Sequence, residues 1–155
     1  MLCLLIASLC LTTLTIHARA DERYLDFVQA LRDRGYYDFA ADYLQQIATR
    51  DRLPESVRVV IDYEMGKLLL RQAAEERDLV KRDQQLEQSR EYLQRFPTDQ
   101  AGHARAADAM TALALILVER GRVAVLQSNS PNKRAQRKDL QGQARQLFDE
   151  ANKQF

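Results

Sequence analysis

Cysteine, proline and glycine are all scarce in this chain of 155 residues, and each shortage closes off a class of protein. The 2 cysteines, Cys3 and Cys10, both lie in the first ten residues, so the rest of the chain holds no disulfide framework, thiol nucleophile or cysteine metal cluster. With 5 glycines there is no glycine-rich phosphate loop, and neither a nucleophile elbow nor a helical His/Glu metal motif is present. Tryptophan is absent, and the 3 prolines leave long stretches unbroken. Charge of one sign is lacking too. The 23 Lys plus Arg stand against 22 Asp plus Glu, which gives no global pull toward nucleic acid, anionic membrane or acidic polymer.

The one long uncharged stretch is at the start. Residues 1–16 carry no charged side chain and are followed by Ala18-Arg19-Ala20 and the acidic pair Asp21-Glu22. This pattern reads as a secretory leader over residues 1–20, with Ala18 and Ala20 at the cleavage site, although a basic n-region is missing. The stretch is shorter than the ~20 residues that span a bilayer core, which makes an uncleaved N-terminal anchor the weaker alternative. Neither cysteine follows a small residue in the way lipid attachment requires. The expected location is therefore secreted or periplasmic. Loss of Arg19 with the leader takes Lys plus Arg from 23 to 22, equal to the 22 Asp plus Glu, and His103 remains as the single histidine. A chain from 21 to 155 is long enough to build its own apolar core as one domain.

Three near-repeats supply the architecture. Ala40 to Ile47, Ser89 to Phe96 and Ala144 to Ala151 each start with a small residue, place Leu44, Leu93 or Phe148 four positions on, and another apolar residue three later. Such spacing is one face of a helix, and a small residue at a fixed point lets a neighbouring helix come close. The apolar stripes predict a helix through Tyr24, Phe27, Val28 and Leu31 that stops at Gly35 in the left-handed conformation. A second helix carries Phe39, Ala40, Tyr43, Leu44 and Ile47. Beyond Pro54 a single helix is expected from Glu55 to about Asp78, with a close-packing spot at Met65-Gly66. A polar passage from Arg77 to Gln85 leads into the seam Leu86, Ser89, Leu93 and Phe96. Thr98 or Asp99 would cap a third long helix, Gln100 to Leu126, whose run Leu113 to Val118 reads as buried on more than one face. After a Ser/Asn/Pro loop the last helix carries Leu140, Ala144, Leu147, Phe148, Ala151 and Phe155. No segment alternates with period two. The expectation is all-α: antiparallel helical hairpins at about 21–52, 54–97 and 99–155, some six helices stacked as a short solenoid.

Gly35, Tyr37, Ala40, Leu44 and Ile47, with Tyr24 and Phe27 upstream and Pro54 after them, resemble one tetratricopeptide repeat across residues 21–54. The small residue returns at Ser89 and Ala144, at spacings longer than the ~34-residue period of that family, so the likeness is to a divergent form with outer helices extended around Arg71–Lys81 and Glu119–Lys138. The resemblance implies a non-catalytic binding scaffold with a partner groove. The asparagine and lysine clamp that recognises C-terminal carboxylates in some members is absent here. An apolar C-terminal helix ending at Phe155 would be covered by folding back, by self-association, or by further repeats in a longer array.

No cofactor or metal is expected. His103, alone, reads as a satisfied or surface residue. Adjacent acids such as Glu75-Glu76 do not face one another on a helix, and their alternation with Arg71, Arg77 and Lys81 marks a solvated face. Tyr36 sits at a hairpin turn beside Tyr37, where both cannot be buried, and is a candidate partner contact. The cluster Lys133, Arg134, Arg137 and Lys138 is the one local departure from charge balance and offers a polyanion site. Without interleaved aromatics to stack on bases, nucleic acid is the poorer fit. The function expected is a protein-protein interaction scaffold of the envelope or extracellular space, with an unidentified protein partner. The alternative is a polyanion binder working through 133–138. A third and weaker reading is an enzyme using carboxylates such as Glu64 or Asp108, on helix faces that look buried.

Overall fold

The computed structural model describes residues 23–154. The expected leader, with Ala18 and Ala20, and Phe155 lie outside the described residues. Among those described there is no strand. The chain runs through α1 (residues 23–33), α2 (Tyr37–Ala48), the single turn α3 (Glu55–Arg58), α4 (Ile61–Glu75), α5 (Leu79–Leu93), the single turn α6 (Phe96–Asp99), α7 (Ala106–Ser128), a 3₁₀ segment (Pro131–Gln136) and α8 (Arg137–Asn152). Six helices exceed two turns, so the protein is all-α with the helix number expected. It divides into two compact units, one up to Ile61 and one from Asp62.

In the first unit α1 ends where Gly35 takes φ 74°, a conformation that costs glycine nothing. Its N–H bonds the Arg32 carbonyl (3.0 Å), and the Tyr36 N–H reaches back to Leu31 O (2.9 Å), the paired closure of a Schellman C-terminus. Tyr37, Ala40, Leu44 and Ile47 of α2 are buried at spacings of three and four, with Val28 from α1 buried as well. Full burial of each large aliphatic side chain contributes about 1.5–3 kcal/mol. Phe27 and Phe39, expected inside their helices' stripes, are instead exposed.

The single helix expected from Glu55 to Asp78 is interrupted. Pro54 precedes α3, residues 59 and 60 form a turn, and α4 begins at Ile61 and ends at Glu75. The interruption falls in the β-branched run Val57, Val59, Val60 and Ile61, whose members are weak helix formers, and the Val60 N–H closes a tight bond to Val57 O (3.1 Å). Val57, Val60 and Ile61 are buried there.

In the second unit α5 starts earlier than the polarity of 77–85 suggested. Asp78 caps it, one carboxylate oxygen accepting from the N–H groups of Val80 (2.8 Å) and Lys81 (3.0 Å). The seam Leu86, Ser89, Leu93 and Phe96 is buried throughout, although Phe96 belongs to the separate turn α6. α4 and α5 meet at Gly66: a Cβ there would lie 2.5 Å from Leu93 Cγ, and the Ser89 hydroxyl donates to the Gly66 carbonyl (2.7 Å). α7 begins at Ala106 rather than Gln100. Residues 100–105 form turns, and neither Thr98 nor Asp99 caps the helix, since Arg105 holds the N-cap position without a side-chain bond.

α5 and α7 run antiparallel, as the links Leu79–Gln127, Arg82–Glu119 and Glu87–Arg120 require. α7 and α8 also run antiparallel, joined by Arg137 to Ser128 at one end and Phe148 on Gly121 at the other, where an added Cβ would lie 2.6 Å from the ring. Ala114, Ile116 and Leu117 of the apolar run in α7 are buried, but Leu115 and Met110 are exposed, so the helix is not covered on all sides.

Candidate functional site

Ordinary helix geometry builds an aromatic face in the first unit. Once Tyr37, Ala40, Leu44 and Ile47 turn inward, Phe39 and Tyr43, four apart, are left together on the flank of α2. Tyr43 meets Phe27 of α1 edge to face, ring centroids 4.8 Å apart, and Tyr36 meets Phe39 in the same manner at 6.3 Å. Phe27 is 48 %, Tyr36 53 % and Phe39 69 % exposed. Phe27, Leu31, Phe39, Asp42, Tyr43 and Gln46 line an open depression of about 310 Å³. Tyr36 therefore lies at the surface, as the turn beside buried Tyr37 implies. Phe27 and Phe39 were missed as surface residues. The signal was the register of the stripe, since 37, 40, 44 and 47 are spaced by three and four, and 39 and 43 fall off it.

A polar cluster joins α4 to the start of α7. The Tyr63 hydroxyl donates to Asp108 Oδ2, and Lys67 Nζ stands 3.0 Å from the same oxygen. Glu64, buried, is paired with Arg105, whose guanidinium lies 5.3 Å over the Tyr63 ring. Phe96 packs on Tyr63 with centroids at 5.1 Å and takes the edge of His103 at 5.4 Å. His103 Nδ1 in turn accepts the Arg105 N–H (3.1 Å). Burial, and after it the hydrogen bond to Asp108, pushes the Tyr63 phenol well above its ordinary value. The bond from Tyr63 holds the Asp108 carboxyl below the usual range, with Lys67 adding to the effect. A phenol pushed up and a carboxylate held down are both far from exchanging a proton near neutral pH. The arrangement locks two helices together. Asp108 is exposed rather than buried as its helix position suggested, and it touches Lys67 and Tyr63, not a second carboxylate.

α5 and α7 share an ion-pair ladder. Arg120 bridges Asp83 (2.9 Å) and Glu87, and Arg82 pairs with Glu119 (2.9 Å). Arg90 at 3.1 Å, followed by Arg120, holds the Glu87 carboxyl below its usual range. The partners stand more than thirty residues apart in sequence, so no local pattern announces them. Among the described residues, no three His, Cys, Asp or Glu side chains converge as metal ligands. No helix among them is long and apolar enough to cross a membrane.

The remaining sequence candidates are distributed rather than gathered. Ala40, Leu44, Ser89, Leu93 and Ala144 are buried, Phe148 is half-buried, and Gly35 is exposed at its turn. Lys133 and Arg134 fall on the 3₁₀ segment and Arg137 and Lys138 on the first turn of α8, all at the α7–α8 connection. No family model, curated protein or solved structure matches this chain.

Proposed function

We propose that this chain is a non-catalytic helical interaction module of the envelope or extracellular space that holds a protein partner on the aromatic face of α1 and α2. The observation that carries the reading is the exposure of Phe27, Tyr36 and Phe39 together around one depression. Clustered exposed aromatics are costly to leave in water, and such residues anchor protein interfaces. α2 contributes Asp38 and Asp42 and contains no Lys or Arg, so the fitting partner is an amphipathic segment with a basic side chain beside its apolar residues. The tetratricopeptide-like reading belongs to the same proposal. Its support is that Ala40, Ser89 and Ala144, the small residues of the three near-repeats, are each buried. The non-catalytic reading draws on the Tyr63–Asp108 pair, whose protons are not poised for transfer.

The test is site-specific photo-crosslinking in cells expressing the full chain, with the reactive group at position 39 and, as control, at exposed position 88. A partner captured at 39 and not at 88, through a peptide with adjacent apolar and basic residues, and lost when Phe27→Ser is introduced, is the expected result. Equal capture at both positions, or capture indifferent to Phe27, overturns the proposal.

A further inference from the structure

Lys67, Arg82, Arg90, Arg105, Arg120 and Arg122 of the second unit each face a carboxylate. At the α7–α8 connection four cations crowd together without one. Lys133 Nζ donates to Gln136 Oε1 (3.2 Å) and Arg137 Nε to the Ser128 carbonyl (3.2 Å), while Arg134 and Lys138 hold no carboxylate among the described residues. At 3.6 residues per turn, Arg137, Lys138 and Arg145 share an arc of about 100° on α8 with Asp149 at its edge, and Asp139 and Glu150 fall on the other side. Arg145 also lines an open depression of about 280 Å³ whose apolar walls are Val125, Ala144 and Phe148, with Val125 38 % exposed.

Unpaired cations beside exposed aliphatic surface are the two components of attachment to a charged bilayer. We propose that this end of the α7–α8 pair docks on an anionic lipid surface, with Arg134, Arg137, Lys138 and Arg145 among the headgroups and Val125 at the acyl boundary. The features weigh against a single-stranded nucleic acid: Phe148, the one aromatic ring among the described residues that line this depression, is packed on Gly121. The cations also crowd one end of a helix pair rather than tracking a groove. This docking is separate from the aromatic face and stands whether or not that face holds a protein.

The test is co-sedimentation of the full chain with vesicles of phosphatidylcholine alone or mixed with phosphatidylglycerol. Residues 1–20 are common to the parent and every variant, so the change between parent and variant in the difference between the two vesicles is the readout. Each cation near an anionic surface adds roughly fivefold to partitioning at low salt. Arg134→Gln, Arg137→Gln and Lys138→Gln together should therefore reduce the difference on the order of a hundredfold, and raised salt should do the same. Should the loss of the Arg137–Ser128 bond unfold the triple variant, Arg134→Gln with Lys138→Gln alone removes two cations that make no bond in the fold. Val125→Ser should weaken vesicle binding and leave heparin binding unchanged. Equal partitioning to both vesicles, or charge variants that partition like the parent, overturns the proposal. Vesicle binding indifferent to Val125→Ser, alongside equally tight heparin binding, assigns the patch to a soluble polyanion and overturns it as well.

Discussion

The two units of this protein dispose of their difficult side chains in opposite ways. In the unit up to Ile61, large aromatics stay at the surface, propped edge to face, and the ion pair seen there, Arg58 with Glu55, is exposed and of little energetic weight. In the unit from Asp62, charges are drawn between helices, with Arg120, Arg82 and Glu119 mostly covered, and glycines make room for the side chains of Leu93 at Gly66 and Phe148 at Gly121. Charge pairs between helices fix their register. The first unit thus leaves aromatic surface uncovered, and the second ties its helices together through specific pairs.

The largest test of that contrast is Leu44→Ala. The side chain is fully buried in α2, and its truncation should cost about 2–5 kcal/mol. Hydrogen exchange should report the loss across 23–61. An equal loss across 62–154 would mean that the two units unfold as one, and the comparison fails.

A smaller effect separates the two close contacts of the second unit. Gly→Ala within a helix gains about 1 kcal/mol of propensity, whereas overpacking costs about 1–3 kcal/mol. At Gly66 the new methyl meets the fully buried Leu93, which has no room to yield, so Gly66→Ala should lower the thermal midpoint. At Gly121 the obstacle is the ring of half-buried Phe148, which can turn outward, so Gly121→Ala should fall near neutral. A midpoint ordering with Gly121→Ala the worse would show that α7–α8, not α4–α5, is the tighter joint.

The smallest effect is on pH. Asp78, Glu87 and Asp108, all in the second unit, have carboxyls held below their ordinary values by, respectively, backbone N–H groups, Arg90 and Tyr63. A depressed folded-state value contributes stability that is complete above the ordinary value and is lost as pH falls through the lower one. Acid should therefore erode exchange protection in 62–154, beginning below the ordinary carboxyl values of 3.8 and 4.5. For Tyr63, raised in the fold, the sign reverses: its contribution is complete below the ordinary 10.0 and is lost as pH climbs above it. Acid loss confined to 23–61 would contradict the assignment of polar stabilisation to the second unit.

Much of the fold could be read in advance because helix faces are periodic. The stripe Tyr37, Ala40, Leu44 and Ile47, the seam Leu86, Ser89, Leu93 and Phe96, and the stop at Gly35 all follow from spacing within a few turns. The breaks were harder. The turn at Val59-Val60 and the late start of α7 arise where weak local preference yields to tertiary packing. Of the surface candidates, Tyr36 was legible because two adjacent tyrosines at a turn cannot both be buried. Phe27 and Phe39 were not, since a phenylalanine next to a stripe reads as part of it.

By itself the sequence determined the all-α class, the helix number, most of the inward-facing positions and the basic patch, because these depend on residues within a turn or two of one another. The tertiary structure alone decided that Ser89 and Leu93 close on Gly66 and that Phe148 covers Gly121. It alone joined Tyr63 to Asp108 and Arg120 to Asp83 and Glu87, and left Phe27 and Phe39 uncovered. Those outcomes depend on which helices meet and in what register, which is settled by the packing of whole faces and not by any segment alone.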